Sequence, residues 1–180
     1  MYASSVGRAI IFLVFLFLGL QQNAGWSMGS RPPVVGSPAA DFSLPDLEGR
    51  VQSLTQYRGK IVLLNFWATW CKPCITEMPA MQAGYDKLRD KGFVVLAINE
   101  LEDEEKVKEH IRSYGHTFPV LMDRDNRVAN KYGVFGLPVS VFIDVNGRVQ
   151  EYIKGGLLTE RKIDETVARM QSQSASRTAS

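Results

Sequence analysis

The only two cysteines of this 180-residue chain, Cys71 and Cys74, are separated by just two residues. A disulfide across so short a loop adds little fold stability, because closing a short loop removes little entropy from the unfolded chain. A zinc site would need further ligands, and the sequence contains no second Cys-x-x-Cys and no His-x₃-His pair. The pair therefore predicts reversible thiol–disulfide chemistry that requires neither a metal nor another cofactor.

The sequence around the two cysteines assigns a different role to each. Cys71 precedes a predicted helix, where backbone N–H groups lower the pKa of a thiol, so we expect an exposed attacking thiolate. Lys72 adds a neighbouring cation, although it is equally well explained as a solvated lysine. Pro73 suits the first helical turn. Cys74 lies one turn into the helix, a shielded position from which it can resolve a mixed disulfide.

The N-terminus is interpreted as an export segment. An uncharged apolar run over 9–20 follows Arg8. It is shorter than the about 17–25 residues of a membrane span and fits the hydrophobic region of a secretory signal. Residues 1–29 are therefore expected to be a signal peptide or an uncleaved signal anchor, in which case residues 9–20 tether the protein to the membrane. Either alternative predicts an extracytoplasmic, periplasmic protein.

Composition predicts one folded domain after this segment. The hydrophobic content of 45% is sufficient for a single core, and the net charge of +2 gives no basis for nucleic-acid binding. We expect a linker over 30–38, the domain over 39–171 and a disordered tail over 172–180. The charge run over 100–109 is interpreted as a solvated helix face, with a docking surface for a redox partner as the alternative.

Strand and helix signals alternate along the domain. Near-continuous apolar runs over 61–67 and 93–98 are typical of buried central strands, and Asn146-Gly147 predicts a tight hairpin. This order predicts an α/β three-layer sandwich with a mixed sheet and an N-terminal hairpin. The predicted elements are the hairpin over 40–54, strands over 61–67, 93–98, 118–122, 139–143 and 148–154, and helices over 73–90, 102–114, 126–132 and 159–170.

Three motifs together resemble the thioredoxin superfamily. They are the run NFWATWCKPC over 65–74, Glu-Met-Pro over 77–79 and Gly-Leu-Pro over 136–138. Specifically, the chain resembles the extracytoplasmic TlpA/ResA-type thiol–disulfide oxidoreductases of the AhpC/TSA–redoxin-like branch, over roughly residues 35 to 170. The separation of Cys74 from Pro138, 138 − 74 = 64 residues, exceeds that in thioredoxin and implies an extra strand–helix unit within residues 92 to 122.

The resemblance implies further site residues. A cis bond before Pro138 is expected to bring the Leu137 backbone beside the cysteines, where a substrate segment can pair with it. Trp70 is expected at the rim of the site. Glu77 is expected to line a substrate cavity near the thiols, or else to be an ordinary acid of an early helical turn. Asn65 replaces the buried aspartate of thioredoxins, so the proton relay assigned to that aspartate is not carried over.

The function implied is the reduction of protein disulfides, including the haem-binding cysteines of apocytochrome c. Electrons would come from a membrane thiol transporter of the CcdA/DsbD kind. Two alternatives stay open. One is a thiol peroxidase, although Leu64 and Ala68 occupy the Pro and Thr positions of the Pro-x-x-x-Thr-x-x-Cys arrangement. The other is an exported, non-catalytic binding module.

Overall fold

The structure is a computed structural model that describes residues 31–178. Its strands are β1 Ser43–Pro45, β2 Val51–Ser53, β3 Ile61–Trp67, β4 Phe93–Glu100, β5 Val120–Asp123, β6 Val139–Ile143 and β7 Val149–Lys154. The central sheet has the order β5-β4-β3-β6-β7, in which β3, β4 and β5 are parallel while β6 and β7 are antiparallel to their neighbours. A separate hairpin, β1 with β2, precedes it. The mixed sheet and the N-terminal hairpin confirm the predicted fold class.

Helices cover both faces of the sheet, because every residue of β3 and β4 is buried and each face must be shielded from water. The helices are α1 Lys72–Leu88, α2 Glu104–Tyr114, α3 Arg127–Lys131 and α4 Glu160–Thr178. Ile61 and Leu63 pack with α1, α2 and α4, whereas Val62 and Leu64 pack with α3 and the hairpin. The extra unit expected within residues 92 to 122 corresponds to α2 and β5.

One end of the sheet gathers the loops that concern the cysteines. The parallel strands β3 and β4 finish there, β6 begins there and β7 returns there. We call this the cysteine end, and define it by the loops that follow β3, β4 and β7 and the loop that precedes β6. These loops cover residues 68–71, 101–103, 155–159 and 132–138.

Two expected boundaries differ in the structure. Residues 36–38, expected to be linker, add to the β6–β7 hairpin, since Gly36 N donates to Val149 O and Val149 N donates to Ser37 O. The last helix runs to Thr178, through most of the tail that was expected to be disordered. Ser172, whose hydroxyl donates to the Arg169 carbonyl, illustrates the reason: serine-rich composition reads as disorder, yet serine can bond back to its own helix.

Among residues 31–178, no helix is both long and apolar enough to cross a membrane. The apolar run over 9–20 lies outside the described residues, as do the predictions that depend on it.

Candidate active site

A disulfide joins Cys71 and Cys74 at the start of α1. Cys71 is the N-cap of this helix, with extended backbone, and its Sγ accepts a hydrogen bond from the Cys74 backbone N–H at 3.3 Å. Pro73 lies in the first turn, as predicted. The Cys74 N–H at the helix start is therefore directed at the Cys71 sulfur, an arrangement that stabilises a thiolate after reduction.

The Cys71 sulfur is less accessible than the sequence predicts. Cys71 is only 4% exposed and Cys74 is fully buried, because the disulfide turns the Cys71 side chain inward onto its partner and the apolar cluster under α1. The exposed residues of the loop are instead Trp70, Lys72 and Pro73. In this oxidised form, a partner meets these three side chains before it meets the sulfur.

The Leu137–Pro138 peptide bond is cis, as predicted. Val139 lies opposite Phe66 in the β3–β6 ladder, so Pro138 lies beside the end of β3, a short loop away from Cys71. The Pro138 carbonyl accepts a hydrogen bond from the Gly155 N–H at 2.9 Å, and Leu137 is half-buried. This places the backbone of Leu137 at the cysteine end.

Glu77 is almost completely buried, at 2% exposure, one helical turn after Cys74. Its Oε1 accepts from Asn65 Nδ2 at 2.7 Å and its Oε2 accepts from the Leu158 N–H at 3.1 Å. Burial raises the pKa of the Glu77 carboxyl, while the hydrogen bonds from Leu158 and Asn65 lower it in part. Glu77 thus links α1, β3 and the loop after β7 through hydrogen bonds in the interior. The resemblance suggested that Glu77 lines a substrate cavity, whereas the structure buries it.

Asn65 connects this carboxyl to the strand that follows the cis proline. Its Nδ2 also donates to Ser140 Oγ at 3.0 Å, two residues after Pro138. All three polar side chains, Asn65, Glu77 and Ser140, are buried. The helix that carries the cysteines and the strand that follows Pro138 are therefore coupled through one polar network.

A second carboxylate, which sequence analysis did not identify, holds the loop before Cys71. Glu102 accepts from both the backbone N–H and the hydroxyl of Thr69, each at 2.6 Å. Asn99 and Lys106 donate to the same carboxylate. Burial alone would raise the pKa of Glu102, but the hydrogen bonds from Lys106, Thr69 and Asn99 outweigh it and hold the pKa at about 2.

The interpretation of residues 100–109 as a solvated face is wrong at its start. Glu100 ends β4 and is buried opposite Asp123 of β5. Burial, and then the charge of Asp123, raise the pKa of Glu100 to about 7. Glu100 is buried because β4 extends two residues beyond its apolar run over 93–98.

Within residues 31–178 no group of three or more His, Cys, Asp or Glu side chains is placed to hold a metal ion. The two sulfurs at the cysteine end supply thiol–disulfide chemistry. With a three-layer α/β fold, a disulfide that caps α1 and a cis proline beside it, the protein is a thioredoxin-like thiol–disulfide oxidoreductase.

Comparison with known proteins gives the family. The chain belongs to the AhpC/TSA family, whose model matches residues 35–152. It is 44% identical over 156 residues to the thiol-disulfide oxidoreductase ResA of Geobacillus thermodenitrificans, which covers 86% of this chain and 90% of that protein. The ResA of Bacillus thuringiensis subsp. konkukian is 36% identical over 164 residues, covering 91% and 94%.

Solved structures agree with the fold. A thiol:disulfide interchange protein from Chlorobium tepidum superposes with a TM-score of 0.68 at 32% identity, covering 78% of this chain and 97% of that one. StoA from Bacillus subtilis superposes with a TM-score of 0.62 at 26% identity, covering 72% and 97%.

Proposed function

We propose that this enzyme works outside the cytoplasm as a reductant of protein disulfides, with the haem-binding cysteines of apocytochrome c among its substrates. The observation that carries this direction of electron flow is the buried Glu77 carboxyl, one turn after Cys74. An anion near the thiols raises their pKa and so disfavours the reduced, thiolate-bearing form. A couple whose reduced form is less stable gives up its electrons more readily.

The reaction needs only the two sulfurs. The Cys71 thiolate attacks one sulfur of the substrate disulfide, so that a Cys71–substrate bond forms and the substrate S–S bond breaks. The Cys74 thiolate then attacks the Cys71 sulfur, which closes the Cys71–Cys74 disulfide and releases the second substrate sulfur. Two electrons pass to the substrate, whose two thiolates take protons from solvent. We expect Trp70, Lys72, Pro73 and the Leu137 backbone to contact the substrate, and Pro138 to orient it.

The enzyme must then be reduced again, since disulfides persist in oxidising compartments. A membrane thiol transporter of the CcdA/DsbD kind would supply the electrons. Fractionation of cells tests the location: recovery with the membrane or periplasmic fraction is expected, and intact protein confined to the cytosol would contradict it.

Deletion of the gene in the source organism tests the substrate. Haem-stained c-type cytochromes should decrease, and the wild-type gene should restore them whereas a Cys71→Ser/Cys74→Ser variant should not. Restoration by the double variant would instead favour the non-catalytic binding module. Unchanged cytochromes after deletion would remove apocytochrome c from the proposal.

Peroxide is the other substrate considered. Leu64 and Ala68 stand where thiol peroxidase chemistry wants Pro and Thr. Both side chains are fully buried, so neither can contact peroxide. Consumption of hydrogen peroxide with a thiol donor, at a rate above that of the Cys71→Ser variant, would support the peroxidase instead.

A further inference from the structure

The backbone of Leu101 has an unusual conformation. Its φ is +57°, in the left-handed region, and Asn126 is the only other non-glycine residue with positive φ among residues 31–178. Asparagine enters this region readily, whereas leucine is strained there because its Cβ approaches the following carbonyl. Asn126 precedes α3, a position where asparagine is common, so Leu101 is the exception that asks for an explanation.

Packing does not provide that explanation. The Leu101 side chain is 63% exposed, so the strained residue contributes little to the core. Its N–H donates to the Asp123 carbonyl at 3.2 Å, a bond that glycine or asparagine would make equally well. An exposed leucine in a conformation that disfavours leucine loses stability without gaining burial. Strained residues of this kind concentrate at functional sites.

Leu101 is fixed relative to the cysteine loop. Glu102, the next residue, holds Thr69 through two hydrogen bonds, and Trp70 follows Thr69 directly. Trp70 is 68% exposed and precedes Cys71. Two exposed apolar side chains, Leu101 and Trp70, therefore lie on the two loops that Glu102 connects, and one of these loops leads directly into Cys71.

Other exposed apolar side chains lie in loops at the same end of the sheet. Of the eight exposed large hydrophobic residues of the described chain, four lie in loops of the cysteine end: Trp70, Leu101, Phe135 and Leu157. Any substrate that delivers a sulfur to Cys71 must lie across this end, since Cys71 itself is only 4% exposed. Because these apolar residues are continuous with the redox site, the segment that covers them is the part of the substrate protein that flanks its disulfide.

We propose that Leu101 determines specificity: together with Trp70 it forms an apolar contact surface for hydrophobic residues beside the disulfide of a protein substrate. This inference rests on the proposed function as a reductant. It predicts that the enzyme prefers disulfides flanked by apolar residues, and that the preference depends on Leu101. The Cys71–Cys74 chemistry itself does not depend on it.

Three disulfides test the inference with the reduced full-length protein in mild detergent. Two are peptides with the same disulfide loop, flanked either by Leu and Val or by Ser and Gln. The third is 5,5′-dithiobis(2-nitrobenzoate), which has no flanking chain. In Leu101→Gly and Leu101→Asn, kcat/KM for the apolar peptide should fall about tenfold, as expected for loss of part of a buried leucine contact, while the other two substrates change less than about twofold. Val51→Thr, on the distant hairpin and also exposed, is the matched control and should change none of them.

The stability of the same variants provides a second readout. Both substitutions relieve the strained backbone, so the urea midpoint should stay the same or rise while the apolar preference is lost. Equal slowing of all three substrates, or an apolar preference that survives in both variants, would overturn the role of Leu101. Wild-type protein that reduces none of the three substrates would instead overturn the proposed function.

Discussion

Asn65 and Glu77, twelve positions apart in the chain, meet in the interior, where Asn65 Nδ2 donates a hydrogen bond of 2.7 Å to Glu77 Oε1. Asn65 belongs to the central strand β3, and Glu77 to the helix that carries the cysteines. The amide therefore satisfies a buried acid and leaves one carboxyl group, rather than two, close to Cys74. The roles of both side chains can therefore be tested by substitution.

Substitution of Asn65 by aspartate should create a conflict with Glu77. At pH 8 two carboxylates would occupy the buried site and the donor to Glu77 would be lost. We expect the free energy of unfolding to fall by about 2–4 kcal/mol, and to recover towards pH 5 as one carboxyl takes up a proton. Urea unfolding at both pH values measures this.

Asn65→Asp/Glu77→Gln is the matched control, since the glutamine amide can donate to the new carboxylate. It should be more stable at pH 8 than Asn65→Asp alone. A single variant as stable as wild type, or a double variant without recovery, would contradict the assigned contact.

Substitution of Glu77 by glutamine should lower the pKa of the Cys71 thiol in the reduced protein, because an anion near the thiolate is removed. Thiolate absorbance at 240 nm, or the rate of alkylation, followed against pH gives this value. Glu105→Gln is the control, as the Glu105 side chain is 86% exposed on α2 and screened by water. A titration of Cys71 that is identical in wild type and Glu77→Gln would refute the role of Glu77.

Glu100 should make the protein less stable as the pH rises. Its pKa is raised to about 7 in the folded protein, so the folded state retains a proton that the unfolded state has lost. Its contribution is fully present below the unfolded pKa, near 4.5, and is lost as the pH rises through 7. Glu100→Gln should therefore be more stable than wild type at pH 8, by about 1–3 kcal/mol, and similar at pH 5. Parallel pH profiles of unfolding in the two proteins would show that this carboxyl does not titrate as described.

Glu102 should have the opposite pH dependence. With the pKa held at about 2, its contribution to stability is present above the unfolded pKa and is lost as the pH falls through the folded value. Each Glu102 oxygen accepts one hydrogen bond from Thr69 and one from either Asn99 or Lys106. Glutamine keeps only one of these acceptor oxygens, because its amide nitrogen cannot accept. Glu102→Gln should be less stable at pH 7 by about 1–2 kcal/mol, with a smaller difference at pH 3. Glu109→Gln, at an exposed position of α2, should show no such difference. An equal loss in both variants would mean that the hydrogen bonds of the Glu102 carboxylate do not contribute to stability.

Much of the fold was predictable because its signals are local. The apolar runs of β3 and β4 are typical of buried strands, and Asn146-Gly147 predicts the final hairpin. Cys71 and Cys74 identified the site because their spacing carries the chemistry. The cis bond at Pro138 came from the resemblance, since no local signal distinguishes it from a trans proline.

The missing parts depend on tertiary contacts or on backbone conformation. Glu102 appears in a charge run that predicts solvent exposure, and only the folded loop reveals Thr69, Asn99 and Lys106 around it. The left-handed Leu101 could not be expected, because leucine does not favour that region. For Glu102 the residue type predicts exposure, whereas the fold buries its side chain. For Leu101 the residue type predicts a negative φ, whereas the fold imposes a positive one.

The reduction potential of the Cys71–Cys74 couple tests the central claim most directly. The full-length protein is equilibrated with dithiothreitol or glutathione buffers of defined potential, and the fraction of free thiol is measured at each potential. We predict a value near that of thioredoxin, about −270 mV, as a reductant requires. A value of about −120 mV would mean a protein that donates its disulfide, and would contradict the proposed direction of electron flow.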